Sequence, residues 1–291
     1  MKMIHMTVPG HEHASLEGYI LDCEITYGQE KTRPAILVCP GGGYVYRSPR
    51  EAEPIALRYA AAGFHAFILR YSTGRNCVGN APLAEVDWAV GYIRENAENW
   101  NIDPNKILTC GFSAGGHVAM SAGMLAENKP NGMILSYPAV SCPNFPGADF
   151  MLKLLTGKEH PTDEDAEKLE LVSKITKDAP PVFLVATAQD MLTNYGALPV
   201  ANRYAQLGLP YELHIFQHGP HGYSLADVTT ADGSSQVLNA AYGSWLDLSV
   251  EWIKKVYGQP QFTDKSTSRM GVYLKELGIS MPGAEKSSDF A

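Results

Sequence analysis

The sequence predicts an α/β protein: a mostly parallel sheet with helices on both faces. Three observations predict it. Short β-rich runs alternate with longer segments of helical period about six times along the chain. The β-rich runs are nearly continuous in apolar character, as strands covered on both faces require. Hydrophobic residues make up 45% of the 291 residues, enough for a substantial core. Strand, helix, strand, repeated, implies right-handed crossovers.

From about residue 17 the expected strands are Ala35–Cys39, Phe64–Leu69, Lys106–Cys110, Gly132–Tyr137, Val182–Thr187 and Tyr211–Phe216. Between them, Pro82 to Trp100 places Leu83, Val86, Ala89, Val90 and Ile93 on one helical face. Pro54–Ala62, Ala114–Glu127, Ala197–Leu207 and Leu238–Tyr257 are similar. Residues 141 to 180 break the alternation: they are polar, with Pro-containing turns and the acidic run Asp163-Glu164-Asp165. An insertion of that length is expected to form a small helical cap. A second irregular stretch runs from Asp227 to Gln236. The chain is therefore read as one α/β domain over 1–257 with a cap at about 141–180. Residues 258–291 form a Ser/Lys/Pro-rich tail, with one helix near Arg269 to Leu277. That tail is a candidate interface for a homo-oligomer.

Composition excludes several classes. Lys plus Arg is 23 against 31 Asp plus Glu, a net charge of −8, which argues against nucleic acid as the main partner. No apolar run approaches the roughly 18 residues of a membrane span. The start, Met1 to Gly10, lacks the apolar core of a secretory signal, so a cytoplasmic location is expected. Five scattered cysteines (Cys23, Cys39, Cys77, Cys110, Cys142) form no C-x-x-C pair, which disfavours a disulfide framework and a zinc site. Cys39 and Cys110 end apolar runs and are read as small buried residues. His5, His11 and His13 have no Cys, Asp or Glu at metal spacing and are read as a solvated N-terminal segment. No metal and no cofactor is expected.

The strongest chemical signal is Gly111-Phe112-Ser113-Ala114-Gly115, with a strand before it and a helix after. Such a turn forces the serine into a strained conformation above the sheet, and small neighbours let helix and strand approach. Ser113 then lies at a helix N-terminus, where the next backbone N–H faces a developing oxyanion. The second signal is Pro40-Gly41-Gly42-Gly43-Tyr44, directly after a strand. Three glycines let the backbone aim N–H groups at a substrate carbonyl. The loop lacks the spacing of nucleotide-binding glycines.

A serine needs a base, and the base needs an orienting acid. The next two strands end in Ala188-Gln189-Asp190 and in His218-Gly219-Pro220-His221-Gly222-Tyr223. Side chains at the carboxyl ends of neighbouring parallel strands converge, so Asp190 and His221 can reach Ser113. The order Ser, Asp, His suits a strand-turn-helix nucleophile. His218 competes with His221 but continues its strand; Asp149 competes with Asp190 but lies far into the cap. His117 is read as packing under the serine turn, and Asp87 and Arg94 as fold-supporting contacts. Tyr44 and Tyr46 are candidates for lining the substrate pocket, with a packing role equally open.

Gly-Phe-Ser-Ala-Gly-Gly-His, the Pro-Gly-Gly-Gly-Tyr loop and the His-Gly-Tyr ending resemble the α/β-hydrolase superfamily. Within it they are closest to acetyl-xylan-esterase-like and hormone-sensitive-lipase-like carboxylesterases. The resemblance covers roughly residues 30 to 257. It implies Ser113 as nucleophile, His221 as base, Asp190 as its partner, and the amides of Gly42, Gly43 and Ala114 as oxyanion donors. Two departures stand out: Pro40 replaces the histidine of lipase-like members, and Met191-Leu192-Thr193 follows Asp190 in place of a valine-proline turn.

The expected function is a serine esterase that cleaves short-chain, chiefly acetyl, esters of sugars or oligosaccharides. The polar cap, with Asp163, Glu164, Asp165, Glu167 and Glu170, argues against a long-chain lipase, which needs an apolar patch. A prolyl-oligopeptidase-like peptidase shares the turn and the order, but 291 residues leave no room for a propeller. The remaining alternative is a binding protein that kept the fold without the chemistry.

Overall fold

A computed structural model describes residues 1–22, 32–141, 145–258 and 276–279. Among them, eight strands form one sheet: β1 (Lys2–Val8), β2 (His11–Ile20), β3 (Arg33–Cys39), β4 (His65–Arg70), β5 (Ile102–Phe112), β6 (Gly132–Ser136), β7 (Val182–Thr187) and β8 (Tyr211–Phe216). Their spatial order is β1-β2-β4-β3-β5-β6-β7-β8. From β4 to β8 every pairing is parallel; β1 and β2 are antiparallel.

Both faces of the sheet are buried, which is why its strands read as unbroken apolar runs. In β3, Ile36 and Val38 join a core layer with Ile68, Leu108, Ile134 and Phe183. The alternate residues Ala35, Leu37 and Cys39 join the opposite layer with Phe67, Leu135 and Leu184. The helices are α1 (Glu53–Ala61), α2 (Ala81–Glu95), α3 (Ala97–Trp100), α4 (Ala114–Leu125), α5 (Ala148–Thr156), α6 (Asp163–Leu169), α7 (Ala197–Leu207), α8 (Ala240–Gly243) and α9 (Trp245–Tyr257). Helices α1 and α9 cover the first layer through Ile55, Tyr59, Trp245 and Ile253. Helices α2, α4 and α7 cover the second through Val86, Ile93, Val118 and Val200. No helix among the described residues is long and apolar enough to cross a membrane.

Three expectations need correction. The N-terminal residues are not a solvated segment: β1 and β2 form a hairpin whose inner strand pairs with β4. Its signal is alternation, not a continuous run. Ile4, Met6 and Val8 face inward between exposed Met3, His5 and Thr7, as on a strand with one covered face. Second, the expected helix Pro82–Trp100 breaks at Asn96, whose side-chain amide donates to the Tyr92 carbonyl at 2.9 Å and ends α2 before α3 begins. Third, α9 starts only at Trp245. Before it, Gly243 passes so close to the Leu225 carbonyl that a Cβ there would lie 2.8 Å from it.

Among the described residues of the inserted stretch, the helices are α5 and α6. Helix α6 is opened by a capping box in which Thr162 and Asp165 satisfy each other's backbone N–H. Cys39, Cys77 and Cys110 are buried free thiols. Cys23, Cys142 and nearly all of the expected tail helix lie outside the described residues.

Candidate active site

The carboxyl ends of β3, β5, β6, β7 and β8 all open on one edge of the sheet, and the loops that leave them meet there. Ser113 sits between β5 and α4 with φ 51° and ψ −118°. Its N–H donates to the Ser136 carbonyl at 3.1 Å and its own carbonyl accepts from Ala139 N at 3.1 Å, which holds the strained turn. The turn needs its glycines. A Cβ on Gly115 would lie 2.1 Å from the Cys39 carbonyl oxygen, and one on Gly111 would lie 2.2 Å from the Gly115 carbonyl oxygen.

Ser113 Oγ lies 2.8 Å from His221 Nε2, and His221 Nδ1 lies 2.8 Å from Asp190 Oδ2. With Nδ1–H donating to the carboxylate, Nε2 is left as the acceptor for the serine hydroxyl. The environments differ along this chain. Asp190 is 4% exposed, and its other oxygen accepts from Leu192 N at 2.8 Å. The His221 side chain keeps 35% of its surface open, facing the space above Ser113. The histidine loop is tied back to β7 by two contacts: Thr187 Oγ1 donates to the Gly219 carbonyl, and Gly219 N donates to Gln189 Oε1.

The glycine loop lies beside the serine. A Cβ on Gly41 would lie 3.2 Å from Ser113 Cβ and 2.6 Å from Glu51 Oε2, so only a hydrogen fits there. Ser48 N closes the loop on the Gly41 carbonyl at 2.9 Å. Gly42 and Gly43 both have positive φ, at 122° and 62°. Ala114 is the first residue of α4, where backbone N–H groups have no partner within the helix. These are the three amides that the family resemblance implies as oxyanion donors.

Tyr44 is different from its expectation as a pocket residue. Its side chain is fully buried, with its hydroxyl 2.7 Å from His117 Nδ1 and its ring edge-on to Tyr71. It packs beneath the loop; Tyr46, 57% exposed, stands at the surface. His117 bridges Tyr44 and the Leu169 carbonyl, and burial lowers it to about 4, so it stays neutral in this setting. His218 and Asp149, the rivals for base and acid, are both exposed; Asp149 pairs with Lys153. Asp87 and Arg94 bond to the loop at residues 127–131, away from the serine.

Sequence reasoning missed a buried group beside the site. Glu51 is 4% exposed and accepts from Gly41 N at 2.9 Å and from the Tyr137 hydroxyl at 2.6 Å. Burial and the neighbouring Glu51 carboxyl push the Tyr137 phenol well above its usual range, so it keeps its proton. The sequence holds no signal for Glu51: an acidic residue in a polar stretch just ahead of a helix reads as solvated. Among the described residues no cluster of three or more His, Cys, Asp or Glu could hold a metal ion.

Comparison with known proteins adds the family. The BD-FAE family model matches residues 21–145, under half of the chain. The solved structure of MGS-M1, an α/β hydrolase enzyme from a Medee basin deep-sea metagenome library, is 32% identical with a TM-score of 0.76, over 89% of this chain and 99% of that one. This chain belongs to the α/β-hydrolase family. The solved structure of an acetyl ester-xyloside bifunctional hydrolase from Caldicellulosiruptor lactoaceticus is 30% identical with a TM-score of 0.73, over 84% of this chain and 89% of that one. Endo-1,4-beta-xylanase B of Butyrivibrio fibrisolvens is 30% identical over 223 residues, 69% of this chain. The chain spans only about a third of that curated relative, 34% of its length.

Proposed function

We propose that this α/β hydrolase is a serine carboxylesterase that removes short acyl groups, acetyl foremost, from sugars or small oligosaccharides. In this reading Ser113 Oγ attacks the ester carbonyl while His221 Nε2 takes its proton. Asp190 orients the imidazole and stabilises the imidazolium that forms. The amides of Gly42, Gly43 and Ala114 receive the oxyanion. His221 returns the proton to the departing alcohol oxygen, and water then cleaves the acyl-enzyme by the same steps in reverse roles.

The observation that carries this reading is the relay of two 2.8 Å contacts from Ser113 through His221 to a buried carboxylate. The acetylated-carbohydrate part draws support from the relative named as an acetyl ester-xyloside hydrolase and from the xylanase match. Hydrolysis of nitrophenyl acetate, butyrate and octanoate, beside acetylated xylo-oligosaccharides, tests it. Acetate and the acetylated sugars should be the best substrates, and a preference for octanoate would overturn the short-acyl assignment. Ser113→Ala should lower kcat by on the order of 10⁶, since nucleophile and base act as a unit. A Ser113→Ala protein as active as the wild type would end the reading.

A further inference from the structure

We infer that Glu51 is a positioning residue for this reaction: its buried carboxyl holds the glycine loop and the histidine loop in register with each other. The inference rests on the esterase reading above, because it concerns the same site.

Glu51 makes no ion pair among the described residues, although it is almost wholly buried. A buried carboxyl without a cation is costly unless donors satisfy it. Here both oxygens are used: one reaches the glycine loop directly, the other the histidine loop through Tyr137. Oε2 accepts from Gly41 N at 2.9 Å, one residue before the first proposed oxyanion amide. Oε1 accepts from the Tyr137 hydroxyl at 2.6 Å. The Tyr137 oxygen in turn accepts from Ser224 N at 2.9 Å, three residues beyond His221. The Tyr137 ring stands edge-on to the His221 imidazole, with centroids 5.0 Å apart.

The adjoining residue makes the same connection from the outside. Arg50 donates from Nη2 to the Gly222 carbonyl at 2.9 Å and from Nε to the Thr230 carbonyl at 2.5 Å. Its own carbonyl accepts from Ser224 Oγ at 2.7 Å. One short turn, Pro49–Glu51, therefore fastens the two loops that carry the oxyanion amides and the base. These bonds join loop to loop and add nothing to a helix or strand ladder. Their chemical consequence is distance: a shift of about 1 Å between oxyanion donors and base is enough to slow the reaction about 10²-fold.

Glu51→Gln keeps the size and one acceptor oxygen but replaces the other with a donor. Facing Gly41 N–H, that amide sets donor against donor; facing Tyr137, it donates to a phenol oxygen already accepting from Ser224 N and leaves the phenol O–H without its acceptor. The expected result is a kcat about 10²-fold lower with KM within about twofold of wild type, because what is lost acts in the transition state. Tyr137→Phe keeps the ring against His221 and removes only the tie, so its kcat loss should be smaller, about tenfold, and the two losses should not add in the double variant.

Glu51→Gln with wild-type kcat, or with its loss confined to KM, overturns the inference. Where Glu51→Gln fails to fold, Tyr137→Phe decides: a wild-type kcat overturns the inference and a lowered one at constant KM supports it. An esterase that Ser113→Ala silences while Glu51→Gln leaves untouched would sink this inference alone. Activity that survives Ser113→Ala would sink the esterase reading beneath it.

Discussion

The two edges of the sheet turn the chain through the same region of backbone space with different residues. At the carboxyl ends of the strands, positive φ falls on Gly42, Gly43, Gly219 and Gly222 but also on the non-glycine residues Tyr44, Ser113, Tyr137, Ser224 and Ala226. At the amino ends it falls on Gly63, Asn101 and Gly208, which lead into β4, β5 and β8. Glycine and asparagine take this conformation cheaply, whereas other residues lose roughly 1–2 kcal/mol each. The carboxyl edge keeps the costly choice and surrounds it with bonds. Ser113 N is held by Ser136, Tyr137 N by the Val185 carbonyl at 2.8 Å, and Ser224 N by Tyr137. Strain gathers where loops must aim side chains at one point, and is avoided where they only reverse the chain.

A cavity marks the same contrast from the other side. A volume of about 320 Å³ opens at the amino edge among Arg33, Phe64, Lys106, Ile253 and Tyr257. It is well formed, yet none of the residues brought together around Ser113 lines it. This cavity therefore lies away from Ser113; the serine–histidine contact, not the cavity, carries the proposed chemistry.

The comparison can be broken most sharply at Asp190. Asp190→Asn leaves the shape of the carboxyl edge and removes the charge that fixes the imidazole, so kcat should fall by about 10⁴ in a nitrophenyl acetate assay. A fall below tenfold would show that the buried carboxylate does not serve His221.

Each edge also buries one imidazole, and acid should find both. Burial lowers His65 at the amino edge and His117 under the carboxyl edge from 6.5 to about 4. Between about pH 6.5 and pH 4 the unfolded chain binds protons that the folded chain refuses, so stability falls as pH falls through that window and levels off below it. Melting temperatures from pH 7 to pH 4 should show this slope, and His117→Gln and His65→Gln should each flatten it. An unchanged slope in both variants would place the acid sensitivity elsewhere.

The smallest expected effect compares the turns directly. Gly63→Ala, at φ 97°, should destabilise by about 1 kcal/mol and leave kcat unchanged. Ala226→Gly, at φ 55°, should be neutral or stabilise by a few tenths of a kcal/mol, relief of strain being offset by a more flexible unfolded chain. Urea unfolding of both variants distinguishes them, and equal destabilisation would mean that the two edges carry no different strain.

Much of the architecture was legible because its determinants are local. Val182–Thr187 and Tyr211–Phe216 announce themselves as apolar β-rich runs, and the structure starts and ends β7 and β8 at those residues. The hairpin of β1 and β2 was not legible by the same test, because a strand at the sheet edge alternates where a buried one is continuous. Asp190 and His221 could be singled out because a strand end is a local feature and parallel pairing makes such ends converge. The sequence left Tyr44 open between lining the pocket and packing, because the direction of its ring depends on His117 and Tyr71, distant in sequence.

By itself, then, the order of residues determined the layered fold, the strained serine turn, the glycine loop, and which acid and imidazole end neighbouring strands. Each is written in periodicity or in residues a few positions apart. Tertiary structure alone decided that Glu51 would lie buried between the loops, joined to Tyr137 across 86 positions and through it to Ser224 across 87. A carboxyl carries no mark of whether water or two hydrogen-bond donors will satisfy it. Only the packing that removes the water makes that choice.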